Sequence, residues 1–190
     1  SIYPLLRFKT NLNPETWSSL EDYVTRMKPE QKEIYYIVGE DSKSVLRSPH
    51  LDAFHSQGTE VLLLTEPMDS FMLMGLRKYK DYELKNVAQA EAPKTAPKDE
   101  PEAEKIPEAD FSSLVERFKQ VLGERVTDVR ASNRLVQSVA RLADADANAN
   151  PELQRVYKYL GKEYEIPKKV LELNASRPIL KHLLKLETGS

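Results

Sequence analysis

Two short apolar runs constrain this chain more than anything else in it. Ile34-Tyr35-Tyr36-Ile37-Val38 and Val61-Leu62-Leu63-Leu64 contain no charged side chain, so neither keeps one face in water. Each is closed by a breaker, Gly39 after the first and Pro67 shortly after the second. Runs this short, flanked by turn residues, read as interior strands rather than helix fragments. The 22 residues between Val38 and Val61 are helically patterned. That is too many for a hairpin and enough for the crossover that joins parallel strands. The expected seed is a βαβ unit, and no glycine-rich phosphate loop follows either strand.

Around this seed the expected elements are short. Asn13-Pro14 has the form of a helix start, and Trp17, Leu20, Val24 and Met27 then fall on one face of a helix ending near Pro29. Two helical pieces follow the first strand, one over residues 42–46 and one opening at Ser48-Pro49 and stopping at Gly58. After the second strand, Pro67 starts a helix carrying Phe71, Met72 and Leu76. Residues 82–87 alternate and read as an edge strand.

From Glu91 to Asp110 the chain is rich in proline and acid and nearly free of apolar side chains. Such a stretch buries too little to offset its ordering entropy, and it reads as a linker over 92–108. It separates a layered α/β/α domain with a parallel βαβ core (1–91) from a smaller α+β domain (109–190). The second opens with Asp110 as the expected N-cap of a helix carrying Phe111, Leu114, Val115, Phe118, Val121 and Leu122 and ended by Gly123. Val126 and Val129, then Val139 and Leu142, predict two strands of a half-exposed antiparallel pair. Pro151 starts a helix with Leu153, Val156, Tyr157 and Leu160 on one face. A further apolar helix contains Ile179, Leu180, Leu183, Leu184 and Leu186.

The chemistry of the chain is sparse. It has no cysteine, which removes disulfides, thiolate metal sites and cysteine nucleophiles. A net charge of −2 gives no bias towards nucleic acid, and no apolar run is long enough for a bilayer. His50 and His55 lie five apart, off a shared helical face, and no HExxH, GxSxG, P-loop or GxGxxG occurs. The acidic pairs Glu21-Asp22 and Glu40-Asp41 are explained as caps or solvated charge. No cofactor or metal is expected in this chain, and no enzymatic activity. One rival remains open: a small α/β enzyme domain with its site at the strand C-termini near Gly39 and Thr65. Candidate binding residues are the stripe Leu153, Val156, Tyr157 and Leu160, and the single tryptophan, Trp17. For each, core packing is the competing explanation.

Longer strings of residues are more specific. Asp22-Tyr23-Val24-Thr25-Arg26-Met27-Lys28, then Gln31-Lys32-Glu33-Ile34-Tyr35-Tyr36-Ile37-Val38-Gly39-Glu40, closely resemble the heat-shock protein 90 chaperone family, its bacterial type above all. The likeness continues through Leu5-Leu6-Arg7-Phe8 and Glu60-Val61-Leu62-Leu63-Leu64-Thr65-Glu66-Pro67-Met68-Asp69. In the second half it is carried by Val129-Arg130-Ala131-Ser132-Asn133-Arg134-Leu135, by Leu171-Glu172-Leu173-Asn174 and by Pro178-Ile179-Leu180.

The resemblance implies the end of the family's middle domain followed by a C-terminal domain without its final dimerisation helices. The abrupt start without methionine fits a piece of something longer, with Thr188-Gly189-Ser190 as an added tail. The parent is then expected to be a cytoplasmic, homodimeric, ATP- and Mg-dependent chaperone of the stress response, assisting folding. This piece is expected to act as scaffold and relay, without the ATPase domain or the loop that contacts the γ-phosphate. The helix from Pro151 to Tyr157 is similar to a family helix with methionines at the positions of Leu153 and Tyr157, implicated in engaging unfolded client proteins.

Overall fold

A computed structural model describes residues 2–91, 106–146, 151–162 and 167–187. The first strand, β1 (Lys9–Thr10), was not legible in the sequence. It is fixed by polar side chains: Thr10 Oγ1 donates to Glu60 Oε1 at 2.9 Å, and Asn11 joins the Thr59 carbonyl to the Val61 N–H. Phe8 and Ser18 then exchange two backbone hydrogen bonds of 2.8 Å. That bridge claims the backbone that a helix from Asn13 would need. Helix α1 (Leu20–Arg26) therefore starts at a capping box, Ser19 with Asp22, and not at Asn13-Pro14. The expected stripe survives at Leu20, Val24 and Met27, joined by fully buried Tyr23, but Trp17 lies outside the helix and is 61% exposed.

Strand β2 (Glu33–Val38) leads through α2 (Ser42–Leu46), a 3-10 turn (Pro49–Leu51) and α3 (Asp52–Ser56) to β3 (Leu62–Leu64). Val45 can pack against the end of β2 because residue 39 is glycine: a Cβ there would lie 2.0 Å from Val45 Cγ2. Gly58, at φ +59°, supplies the left-handed residue that ends the crossover. Helix α4 (Pro67–Gly75) and strands β4 (Lys78–Tyr79) and β5 (Tyr82–Asn86) complete a five-stranded sheet in the order β1-β3-β2-β5-β4. β2 runs parallel to both β3 and β5. β5 is not the edge strand its alternation suggested, because β4 pairs antiparallel outside it.

Side chains of β2 and β3 alternate between two cores. Ile34, Tyr36, Leu62 and Leu64 pack with Leu20, Tyr23, Leu73 and Leu76 on one face. Tyr35, Ile37, Val61 and Leu63 pack with Leu51, Phe54 and Val87 on the other, where Tyr35 meets Phe54 edge to face at 4.9 Å. The Tyr23 hydroxyl ties α1 to the sheet, donating to the Glu60 carbonyl and accepting from the Tyr35 N–H.

Most of the expected linker falls outside the described residues, but its last residues belong to a second packing unit. Ile106 is buried and donates its N–H to the Ala175 carbonyl. Helix α5 (Glu108–Leu122) begins two residues before Asp110, the expected N-cap, and Gly123 ends it at φ +49°. The expected antiparallel pairing of the next two segments is wrong. β6 (Val126–Ala131) and β7 (Ala140–Asp144) are separated by β8 (Lys169–Leu173), parallel to the first and antiparallel to the second. Asn174 makes room for this: its side-chain amide donates to the carbonyls of Val136 and Ser138 and holds the β6–β7 connection open. Helix α6 (Pro151–Tyr159) leaves this sheet and packs against α4, while α7 (Pro178–Glu187) closes the second core through Leu180.

Candidate functional site

The three histidines do not form a site. Among the described residues no group of His, Asp and Glu side chains is placed to hold a metal ion. His50 stands with Nδ1 3.4 Å from Arg141 Nη1, and burial together with that guanidinium lowers its pKa to about 4, so it is neutral at pH 7. His182 Nδ1 lies 2.9 Å from the Pro178 carbonyl on its own helix. The strand C-termini near Gly39 and Thr65 open onto a hollow of about 370 Å³, covered by Arg155, Lys158 and Tyr159 of α6.

What the fold does assemble is a polar contact between its two sheets. Asp52, in the first turn of α3, receives three backbone N–H groups on one oxygen: Val136 at 2.7 Å, Gln137 at 2.8 Å and Ser138 at 2.9 Å. Successive amides converging on one carboxylate form an anion-binding concavity. Glu152, at the start of α6, is buried, and its Oε1 accepts from Tyr36 Oη and Asn86 Nδ2, both at 2.7 Å. Burial and the adjacent carboxylate raise the Tyr36 pKa, which keeps the phenol protonated as the donor. Arg134 adds a bond to the Val87 carbonyl at 2.9 Å, and Lys158 an exposed pair with Glu40 at 3.2 Å.

Behind this contact lies a charged ladder across β6, β8 and β7. Glu172 receives Arg130 Nη2 at 2.7 Å and Arg141 Nε at 2.6 Å. Burial alone would raise the Glu172 pKa, but the two guanidinium hydrogen bonds outweigh it, and the carboxyl titrates below its ordinary range. Glu172 thus remains an anion between two cations.

The sequence-predicted candidates divide. On α6, Val156 is buried and Leu153 and Tyr157 are half-buried, while Leu160, just past its end, is exposed. Trp17 stands with Lys9 Nζ 5.4 Å from its ring centroid, at the β1 end of the sheet, whereas α6 meets the sheet at β2 and β5. The stripe and the tryptophan are therefore not brought together. Sequence reasoning missed Asp52 and Glu152, which look like ordinary first-turn acids, and the large apolar side chains left exposed on α4 and α6, which are Met68 and Met74 of α4 and Tyr159 of α6.

Comparison with known proteins gives a consistent answer. Residues 1–189 match the family described as "Hsp90 protein". Relatives named "Chaperone protein HtpG" align along nearly the whole chain. That of Treponema denticola is 38% identical over 185 residues, covering 94% of this chain and 29% of the relative. That of Nitratidesulfovibrio vulgaris is 37% identical over 195 residues, covering 98% and 31%. That of Mycobacterium tuberculosis is 36% identical over 174 residues, covering 91% and 27%. The chain spans under a third of the length of these relatives.

Proposed function

The chain belongs to the Hsp90 protein family, and from that premise we propose that it serves a cytoplasmic folding chaperone of the stress response as scaffold and relay between two domains. In this reading residues 1–91 are an α/β/α layered domain with a parallel βαβ core, and residues 109–190 a smaller α+β domain. The supporting observation is the chemistry of their contact: two carboxylates, Asp52 and Glu152, bind donors across it, while the apolar cores lie within each unit. Contacts of this polar kind separate and re-form more readily than an apolar seam. A change in one domain is then passed to the other as a change in their angle, not as a repacking of either core.

ATP binding and turnover belong, in this proposal, to other parts of the longer protein. The end of β2 is where an open α/β sheet would hold a nucleotide. There it presents the carboxylates of Glu40 and Asp41, with Glu40 lining the hollow, and not a glycine-rich cradle. Phosphate release by the isolated chain is expected to equal the blank, and turnover above it would favour the enzyme reading. The groove between α5 and α7, where Val121 and Leu186 stay exposed, supports a place for dimer contacts of the whole protein.

Clients are proposed to be unfolded or partly folded proteins, held by the joined surface of α4 and α6. Met68, Met74, Tyr159 and Leu160 are exposed there, and methionine adapts to varied apolar partners. The test is suppression of aggregation of a thermally unfolded protein. The double variant Met68→Ser with Leu160→Ser is expected to lose it while keeping the parental circular dichroism spectrum. Full retained activity would retire this face, and loss through Trp17→Ser alone would move the surface to the β1 edge.

A further inference from the structure

We propose that the cleft between the two units is a binding site for a small organic anion, a carboxylate or phosphate group carried on an apolar body. The cleft has a volume of about 730 Å³ and lies between the C-terminal half of β2, the β7–β8 edge and α6. That size is typical of sites for small molecules. Ile37, Val38 and Leu142 supply apolar wall, which suits the body of such a ligand.

The charged lining is one-sided. Arg155, Lys158, Lys162 and Lys169 all border the cleft, and among the described residues its one carboxylate, Asp144, is already paired with Lys169. His50, on the opposite wall, is held neutral by burial and by the cations around it, so it offers an anion neither charge nor repulsion. Lys158 has an exposed pair with Glu40, which competes weakly with a ligand.

Unmet donors point the same way. Arg155 and Gln154 line the cleft, and among the described residues Arg155 Nη1 and Gln154 Nε2 have no acceptor, while Arg155 Nη2 donates to Tyr159 Oη at 3.1 Å. A buried donor without a partner costs about 1–3 kcal/mol, more when it is charged. Both residues lie on α6 and line the cleft, so an anion entering it would meet donors that no described residue satisfies. A planar guanidinium donates to two oxygens of a carboxylate or phosphate in one plane. Because both walls contribute, the ligand would bridge the two units at the contact made by Glu152 and Asp52. The site stands independently of whether α4 and α6 hold clients.

Calorimetric titration of the 190-residue chain tests it, with phenyl phosphate, phenylacetate, inorganic phosphate and benzyl alcohol as probes. One saturable site is expected for phenyl phosphate or phenylacetate. The stronger of the two tells whether the natural head group is a phosphate or a carboxylate. Inorganic phosphate, lacking the apolar body, is expected to bind more weakly, and neutral benzyl alcohol not to saturate. Arg155→Gln is expected to weaken the aryl anion about 10- to 100-fold. Lys158→Gln, at an exposed side chain that the fold does not need, is expected to weaken it several-fold, while Lys9→Gln changes nothing. The proposal is overturned if neither aryl anion saturates, if benzyl alcohol binds as well, or if folded Arg155→Gln and Lys158→Gln proteins both bind like the parent.

Discussion

In the five-stranded sheet both faces are apolar: Ile34, Tyr36, Leu62 and Leu64 point one way, Tyr35, Ile37, Val61 and Leu63 the other. The three-stranded sheet has one such face, built on Val129, Leu171 and Leu173, while Glu172 sits in register with Arg130 and Arg141 between them. The first sheet is sealed by its own helices. In the second, the charged ladder reaches the first unit through Arg141 and His50. An apolar face tolerates approximate neighbours. A buried charge tolerates only its own partner, because desolvation is repaid by that pairing alone. The second unit should therefore be the more exacting of the two, and its contact with the first the more easily switched.

The largest effect that sharpens this difference is expected from Glu172→Ala. It strands Arg141, whose side chain is 5% exposed, and should cost about 3–5 kcal/mol in urea denaturation, centred on the second unit. A cost below about 1 kcal/mol would mean that the ladder is hydrated and the comparison fails. Leu64→Ala, fully buried in the first sheet, should cost about 2–5 kcal/mol and lower the transition of that sheet instead.

Acid should act on the contact before it acts on either core. The folded His50 pKa of about 4 lies below its ordinary 6.5, so between those values the unfolded chain binds the extra proton. Stability is then complete above pH 6.5 and falls towards pH 4, by at most about 1.4 kcal/mol per pH unit. Thermal melts of His50→Gln should lack this slope. Glu172, held below its ordinary range, adds its own loss once the pH falls through its ordinary value of 4.5. A smaller effect, about 1–3 kcal/mol, is expected from Asp52→Ala, which leaves the amides of residues 136–138 unpaired. Limited proteolysis should then cut between the units while each sheet stays protected. Lys158→Ala removes only an exposed pair, and the melting temperature should not move.

Local signals decided much of the fold. The apolar runs became β2 and β3, parallel and adjacent, Gly58 and Gly123 stop the segments they were expected to stop, and α7 forms where its leucines recur. Two start signals competed near Trp17. Asn13-Pro14 lost to Ser19 with Asp22 because the Phe8–Ser18 bridge is a contact between segments, invisible to a helix pattern. The candidate surface was legible only in part. The α6 stripe predicts apolar contact, but its inward side also carries Glu152, and exposed Met68 and Met74 come from another helix.

The sequence by itself determined the two central strands and most of the helices, though not every start, and its long motifs determined the family, because periodicity and capping act between near neighbours. Tertiary structure alone decided that β8 separates β6 from β7, and that Glu152 is buried rather than solvated. The donors that make its burial tolerable, Tyr36 and Asn86, lie 116 and 66 residues away along the chain. A carboxylate's environment depends on what folding brings beside it, and no local pattern encodes that distance.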